Sequence, residues 1–236
     1  MVDIPTASKQ LPASTASGSS SVPSAQSDPD RRFVLHADDD IVVVDKPAGL
    51  PSVPGRAPGL QDCAVTRVQA EFYDALVVHR LDMATSGLLV FARGLQAQRT
   101  LSRAFERREI DKRYEAWVGG VPAPDRGTID LPLAADWPRR PRQRVDAERG
   151  KQACTHWTVL ERAVGRCRLG LQPVTGRSHQ LRVHLAAIGH PILGDPLYAP
   201  PHVQALASRL CLHATRLEMK HPQTGLRVLF VSAPPF

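Results

Sequence analysis

The 236-residue sequence contains no run of about 20 apolar residues, which is the length that a membrane-spanning helix needs. Its beginning also lacks the apolar segment of a secretory signal. Hydrophobic residues make up 42% of the chain, enough for one substantial core at this length. We therefore expect a soluble, cytoplasmic protein with one folded domain, which acts as a monomer and does not contact membranes.

Cysteine and histidine patterns typical of disulfide frameworks and metal sites are absent as well. The four cysteines are Cys63, Cys154, Cys167 and Cys211, and no two of them form a C-x-x-C pair. The nine histidines show neither H-x-x-x-H nor H-x-x-E-H spacing, and the separation of His179 and His184 does not suit one face of a helix. We expect reduced cysteines in the core and no bound metal.

Motifs for nucleotide cofactors and for two common enzyme classes are also missing. The chain has no G-x-x-x-x-G-K-[ST] and no G-x-G-x-x-G segment, so no phosphate-binding loop is predicted and no cofactor is expected. Residues 79–82 read HRLD rather than the H-R-D-L of kinases, and no D-F-G segment follows. Residues 176–180 read GRSHQ, so Gln180 replaces the last glycine of the G-x-S-x-G turn. The sequence therefore argues against a kinase and against a serine hydrolase.

Residues 1–32 differ from the rest of the chain in composition. They are rich in serine, proline and alanine and show no apolar periodicity, which predicts a disordered tail before a domain of residues 33–236. The tail holds three basic and three acidic residues, so its charges cancel. The formal net charge of +7 therefore belongs to the domain, and a basic domain suits a polyanionic partner.

Apolar and β-branched runs predict a protein built mainly from strands. The predicted strands are residues 41–45, 88–92, 113–118, 155–160, 167–171, 210–217 and 227–231. One amphipathic helix is predicted over residues 95–110, and a second begins near Ser178, which suits a helix cap. Consecutive strands with few helices favour an α+β fold, with a mixed, mainly antiparallel sheet flanked by helices and loops, over a βαβ alternation.

The segment HRLDMATSG at residues 79–87 places an acidic side chain between two strand-like runs, residues 76–78 and 88–92. Thr-Ser-Gly at residues 85–87 predicts a turn, so Asp82 lies where a rigid scaffold meets a loop, the usual position of catalytic groups. An aspartate at such a point can instead cap the turn through backbone amides. From the spacing alone, capping is the commoner role.

Several further segments resemble, in the same order along the chain, the signature segments of the RluA-type pseudouridine synthases. Besides HRLDMATSG, they are KRYEAW at residues 112–117, VTGRSHQLRVH at 174–184, IVVVDKPAGL at 41–50, GDPLY at 194–198 and LHA at 212–214. The resemblance runs from about Phe33 to the end, and SVPGR at 52–56, DWP at 136–138 and HPILGD at 190–195 are most similar to the RluA subgroup. It implies the pseudouridine synthase fold and an enzyme that isomerises uridine in RNA without a cofactor or metal.

The resemblance implies three catalytic residues. Asp82 matches the catalytic carboxylate, which acts either as a nucleophile toward the anomeric carbon or as a base at the neighbouring ribose position. Arg177 matches the basic residue that pairs with this aspartate; otherwise it is a phosphate-binding or surface arginine. Tyr114 matches the tyrosine that stacks on the target base and whose hydroxyl can assist a proton transfer; otherwise it is a half-buried strand aromatic.

The resemblance also implies residues that contact RNA. A target uridine in a structured loop must first leave its stack, and Arg80 matches the arginine that enters the vacated space, its alternative being a structural ion pair. Leu181 lines the same pocket or belongs to the helix core, and His79 is also expected to contact the RNA. The basic run that includes Arg139, Arg140 and Arg142 is expected to follow RNA phosphates, unless it is only a solvated loop.

The expected substrates are the first nucleotide of the anticodon loop, in the tRNA anticodon stem-loop, and a similar hairpin loop of 23S ribosomal RNA. This expectation rests on the resemblance to one subgroup. The alternative function is a non-catalytic RNA-binding or ribosome-assembly factor with the same fold. The presence of Asp82, Tyr114 and Arg177 together argues for the enzyme.

Overall fold

A computed structural model describes Met1, residues 33–55 and residues 61–236. Apart from Met1, the predicted tail lies outside the described residues, and so does Arg56. The boundary between tail and domain therefore stays a prediction. The architecture below refers to the described residues alone.

The described chain is built mainly from strands. They are β1 Val34–Ala37, β2 Ile41–Lys46, β3 Ala75–Val77, β4 Ser86–Arg93, β5 Asp111–Gly119, β6 Arg126–Asp130, β7 Leu133–Ala135, β8 Gln143–Val145, β9 Cys154–Ala163, β10 Arg166–Pro173, β11 Leu212–Lys220 and β12 Arg227–Val231. The helices are α1 Ala64–Gln69, α2 Gly94–Glu106, α3 Gln180–Ala187 and α4 Pro201–Gln204, with a 3₁₀ turn at Trp137–Arg139. Within residues 33–55 and 61–236, no helix is long and apolar enough to cross a membrane.

One large sheet contains ten of these strands in the order β1-β2-β4-β11-β5-β10-β9-β6, with β3 beside β4 and β12 beside β11. The pair of β4 and β11 is parallel, and the other described neighbours in the sheet are antiparallel. Strands β7 and β8 form a separate hairpin. The predicted α+β class with a mixed, mainly antiparallel sheet is confirmed.

The hydrophobic core has two main parts, which meet at Tyr114. One part surrounds β2 and β4, where every residue of β2 is buried, and includes Leu101 of α2. The other part lies around β5 and β10 and includes Leu169 and Leu185. Each such buried side chain contributes about 1.5–3 kcal/mol to folding. Tyr114 packs against both parts, so it lies on a boundary that two separate cores hold in place.

Helix α2 is shorter than predicted, because it ends at Glu106 instead of continuing to residue 110. Arg108 adopts a left-handed φ of 62°, and the Glu109 amide donates to the Ala104 carbonyl at 2.9 Å. The Arg108 amide donates to the Phe105 carbonyl, which completes the helix-ending motif usually formed by glycine. The expected apolar face is confirmed, since Ala97 and Leu101 are buried.

The turn before β4 lies earlier than predicted. The Thr85 amide donates to the Asp82 carbonyl at 3.1 Å, whereas Ser86 and Gly87 already belong to β4. Gly87 has a φ of 111°, and a Cβ atom there would lie 2.4 Å from the Ala214 carbonyl oxygen of β11. The glycine therefore serves the close parallel approach of two strands and does not form the turn.

Candidate active site

A cleft of about 870 Å³ opens where the 79–85 loop, β5, the end of β10 and the start of α3 meet. Its lining includes six residues that the sequence singled out, namely His79, Arg80, Asp82, Tyr114, Arg177 and Leu181. The predicted residues Arg139, Arg140 and Arg142 do not line this cleft. The structure thus brings the predicted catalytic residues together and leaves the basic run outside.

The loop that carries Asp82 is fixed from behind. The Ser52 hydroxyl donates to the Leu81 carbonyl at 2.8 Å and accepts from the Leu81 amide at 3.0 Å. The Lys46 ammonium, fully buried, donates to the carbonyls of Pro47, Leu50 and Met83. Burial lowers the pKa of Lys46 to about 7, and the negative charge of Asp82, which raises this pKa, offsets only part of the effect. Asp82 is therefore presented by a loop whose neighbours on both sides are tied to the core.

Asp82 does not cap its turn. Within the described residues, no backbone amide donates to its carboxylate, whose side chain is 23% exposed. The nearest basic groups both approach Oδ2: Arg182 Nη1 lies at 3.5 Å and His179 Nε2 at 3.9 Å. No described group donates a hydrogen bond to Oδ1. One carboxylate oxygen is therefore restrained, and the other is left for a ligand in the cleft.

The basic partner of Asp82 is Arg182, not Arg177 as predicted. Arg177 Nε donates to the Gln152 carbonyl at 3.1 Å, and its guanidinium makes no ion pair with Asp82. Arg177 lies in the exposed turn before α3, whereas Arg182 lies in the first turns of that helix with its side chain 4% exposed. The helix geometry therefore brings the second arginine of the motif to the carboxylate, and leaves the first at the rim of the cleft.

A fully buried carboxylate holds Arg182 in place. Asp195 accepts from Arg182 Nε at 2.8 Å and from Nη2 at 2.7 Å, and it also accepts the backbone amides of Leu197 and Tyr198. Such a bidentate pair fixes the plane of the guanidinium. A signal for this pair exists in the sequence, because Arg182 lies between the apolar residues Leu181 and Val183, and a charge buried there requires a partner.

Helix α3 begins differently from the prediction. Its N-cap is His179, which has a left-handed φ of 54° and makes no capping hydrogen bond, so Ser178 is not the cap. The side chain of Gln180 stabilises the preceding turn instead, accepting from the Arg177 amide and the Thr175 hydroxyl. The left-handed residue turns the His179 ring toward the cleft, where burial lowers its pKa and favours the neutral imidazole.

Tyr114 lies in β5 and lines the cleft while half-buried. Burial, and then the negative charge of Asp82, raises the pKa of its phenol well above the usual range. The hydroxyl therefore keeps its proton at neutral pH. It can donate a hydrogen bond to a ligand but is poorly suited to remove a proton by itself.

The remaining predicted cleft residues have distinct surroundings. His79 stacks on Phe105 with ring centroids 4.4 Å apart, and its Nε2 accepts the Val90 amide at 3.1 Å. Burial, and then the charge of Lys112, lowers the pKa of His79 to about 3. Arg80 is exposed, and Leu181 is buried in the cleft wall and packs in the second core part. Both interpretations given for Leu181 thus apply at once.

The predicted basic run forms the loop of the β7–β8 hairpin. Arg139 pairs with Asp136 at 2.8 Å, and the Arg140 guanidinium lies 3.4 Å over the ring of the exposed Trp137. Arg142 lies over the ring of Tyr198 at 5.4 Å. The hairpin therefore presents cations and one exposed aromatic ring beside the cleft residues of α3, which Tyr198 contacts.

Among the described residues, one cluster of three side chains has ligand atoms close enough together to hold a metal ion. Ligand atoms of Asp38, Asp40 and His221 lie within 4.8 Å of one another, but none of these residues lines the cleft. Burial favours a raised pKa for Asp38, yet hydrogen bonds from His36 and two backbone amides lower it to about 2. These bonds already fix the β1–β2 turn. All four cysteines are unpaired, and three of them are buried.

Comparison with known proteins identifies the family. A family model described as RNA pseudouridylate synthase matches residues 40–187. The dual-specificity RNA pseudouridine synthase RluA of Yersinia pestis is 54% identical over 199 residues, covering 84% of this chain and 97% of the relative. The protein of the same name from Escherichia coli K12 is 50% identical over 204 residues, covering 86% and 93%.

A solved structure of human RNA pseudouridylate synthase domain containing 1 superposes with a TM-score of 0.72 at 28% identity, covering 86% of this chain and 83% of that one. The predicted resemblance and fold are confirmed. The relatives are named as enzymes, which favours catalysis over the alternative of an RNA-binding factor without activity. The chain therefore belongs to the RNA pseudouridylate synthase family and isomerises uridine to pseudouridine in RNA.

Proposed function

We propose that the substrates are the first nucleotide of the tRNA anticodon loop and a similar hairpin loop of 23S ribosomal RNA. Relatives described as dual-specificity enzymes are 50–54% identical over more than four fifths of the chain, which supports two RNA targets. The domain of residues 33–236 acts as a monomer in the cytoplasm, where both RNAs are found.

The observation that carries the proposed mechanism is the asymmetric environment of Asp82. Arg182 and His179 approach Oδ2, while Oδ1 has no donor among the described residues. Oδ1 therefore presents its lone pairs to the cleft. It either attacks the anomeric carbon or removes the proton at the neighbouring ribose carbon; both routes release uracil nitrogen-1.

The rest of the reaction conserves atoms. The bond from the ribose to nitrogen-1 breaks, the base turns, and carbon-5 joins the ribose. Carbon-5 gives up its proton while nitrogen-1 gains one, and Asp82 is freed, either by loss of its bond to the anomeric carbon or by return of the proton to the neighbouring ribose carbon. No electron is gained or lost, so the residues need only hold the base and move protons. Tyr114 stacks on the uracil and donates a hydrogen bond through its protonated hydroxyl.

Arg182 takes the role that the sequence gave to Arg177. It holds Asp82 in one orientation, and Asp195 fixes the guanidinium. Arg177, at the rim of the cleft, contacts an RNA phosphate with the part of its guanidinium that Gln152 leaves free.

The exposed Arg80 enters the space that the flipped uridine leaves, because its planar guanidinium can stack on the neighbouring bases. Leu181 forms an apolar wall for the base, and His79 supports the loop from behind by accepting the Val90 amide. Arg139, Arg140 and Arg142 follow the phosphates of the stem.

Mapping pseudouridines in tRNA and 23S ribosomal RNA from cells with and without the gene tests the targets. We expect one modified position in each RNA to disappear, and the purified enzyme to restore both in the isolated stem-loops. Loss of a site in only one RNA, or at another position, contradicts the dual assignment while leaving the chemistry intact.

A further inference from the structure

One side chain connects the arginine-bearing hairpin to the catalytic centre. The hydroxyl oxygen of Tyr198 accepts the backbone amide of Gln143, the first residue of β8, at 2.8 Å. The same oxygen lies 2.6 Å from Nδ1 of His179. Nε2 of that imidazole lies 3.9 Å from Asp82 Oδ2. Two hydrogen bonds and one contact that is too long for a hydrogen bond thus form a path from the hairpin to the carboxylate.

The contact between Tyr198 and His179 allows two arrangements of hydrogens, because a phenol oxygen that accepts the Gln143 amide can accept a second hydrogen or donate its own. In the arrangement relevant to Asp82, the phenol donates its hydrogen to Nδ1 of His179, which is then unprotonated. Burial lowers the pKa of His179 and raises that of Tyr198, which favours a neutral imidazole and a protonated phenol. The one hydrogen of the imidazole is then on Nε2, which lies 3.9 Å from Asp82 Oδ2.

The backbone supports the same interpretation. His179 has a left-handed φ of 54°, a region that few residues other than glycine occupy and in which histidine is among the enriched types. It makes no capping hydrogen bond before α3. This backbone conformation places the ring between Tyr198 and Asp82.

We propose that His179 and Tyr198 are positioning residues, through which the hairpin and the carboxylate of Asp82 are held as one unit. Tyr198 sets the tautomer and orientation of the imidazole, which packs 3.9 Å from Oδ2 and limits its movement on one side, while Arg182 holds it from another. Asp195 supports both, because it binds Arg182 and accepts the Tyr198 amide. The inference rests on the proposed role of Asp82.

Simple packing is the competing explanation. The ring of Tyr198 lies between Arg142 at 5.4 Å and Arg182 at 5.1 Å, so it has a structural role in any case. Tyr198→Phe keeps this ring and removes only the hydroxyl. His179→Asn keeps a residue that tolerates the left-handed backbone and can bond Tyr198, but it removes Nε2. Tyr73→Phe is the matched control, since Tyr73 is 88% exposed.

The test is a double-mutant cycle on the single-turnover rate with saturating RNA, alongside the Kd for the same RNA. We expect each single variant to slow turnover about 10-fold or more, with Kd changed less than about 3-fold, since orientation is lost and contacts are kept. The double variant should be no slower than the slower single one, because both changes break one path. Additive losses, or unchanged rates, overturn the proposal; Tyr73→Phe should match the wild type.

A second readout is independent of the RNA. The ¹⁵N shifts of the His179 ring in the free enzyme should show hydrogen on Nε2, and a shift of the population toward Nδ1 in Tyr198→Phe. Hydrogen on Nδ1 in the wild type contradicts the path. Because this signal needs no substrate, a wrong assignment of the RNA targets is distinguishable from a wrong assignment of the path through Tyr198 and His179.

Discussion

At the scale of single residues, the carboxylate of Asp82 is the proposed reactive group, and its removal is the most direct test. Asp82→Asn should abolish isomerisation, because the amide oxygen cannot attack or accept a proton in the same way, while the shape is kept. RNA affinity should stay within a few-fold. Single-turnover assays with a binding titration check both; measurable turnover by the variant contradicts the role.

The two arginines of the 174–184 segment should differ in their effect. Arg182→Ala should reduce turnover severely and also destabilise the fold by about 3–5 kcal/mol, since Asp195 is then buried without its partner. Arg182→Lys should recover part of the stability and little of the rate, because a point charge lacks the planar fork.

Arg177→Ala is the matched control for Arg182→Ala. It should leave the unfolding free energy within about 0.5 kcal/mol and lower mainly the RNA affinity and its salt dependence. Urea unfolding and rate measurements on the three variants show which arginine is the partner of Asp82. A slower rate for Arg177→Ala than for Arg182→Ala would restore the pairing that the sequence suggested.

His79 should make the fold sensitive to acid. Its pKa is about 3 in the folded chain against an ordinary value of 6.5, so the unfolded chain binds more protons between these values. Stability contributed by the neutral ring is present above pH 6.5 and is lost as the pH falls toward 3. Urea unfolding between pH 7 and 4 should show a shallower loss for His79→Gln than for wild type. His202→Gln, at an exposed histidine, should follow the wild type.

At the scale of elements, the contact of β4 with β11 depends on a missing side chain. Gly87→Ala places a Cβ 2.4 Å from a backbone oxygen and also imposes a strained φ, so we expect a loss of about 2–5 kcal/mol of unfolding free energy. Gly225→Ala, with a φ of 71° and open space around its Cβ, should show the backbone strain alone. Equal losses in the two variants would mean that the strands move apart.

The sequence predicts the elements whose signal is local. Strand β12 has the predicted bounds, and β2, β4, β5, β9, β10 and β11 extend the predicted runs by a few residues or shift slightly. The hairpin of β7 and β8 was missed, because its strands have three residues each and are too short for a periodic pattern. Arg108 ended α2 early, since an arginine in the left-handed region has no recognisable signature.

The candidate site was predictable where one motif carries one residue, as for Asp82 and Tyr114. It was not predictable where the geometry depends on contacts distant in sequence. The choice between Arg177 and Arg182 requires knowing that α3 begins at residue 180 and that Asp195 returns to the helix. The path through Tyr198 joins residues 143, 179 and 198, which lie too far apart in the sequence for any local pattern to connect them.

At the scale of the whole molecule, the predicted tail should be dispensable. Residues 1–30 offer too few apolar groups to offset the entropy lost on ordering. Their deletion should leave the Tm and the activity on short stem-loops nearly unchanged, as differential scanning fluorimetry and turnover assays can show. A marked loss of either would mean that the tail binds the domain or the RNA.

The position of β11 in the middle of the sheet fixes when the enzyme becomes complete during translation. Its neighbours β4 and β5 end at residues 93 and 119, but β11 itself ends at residue 220. At about 5–20 residues per second, the ribosome needs roughly 5–20 seconds to supply the missing strand. During this interval the facing edges of β4 and β5 are open to pairing with other chains. Leu212 of β11 also lines the cleft, so a nascent chain cannot modify RNA before β11 has been made.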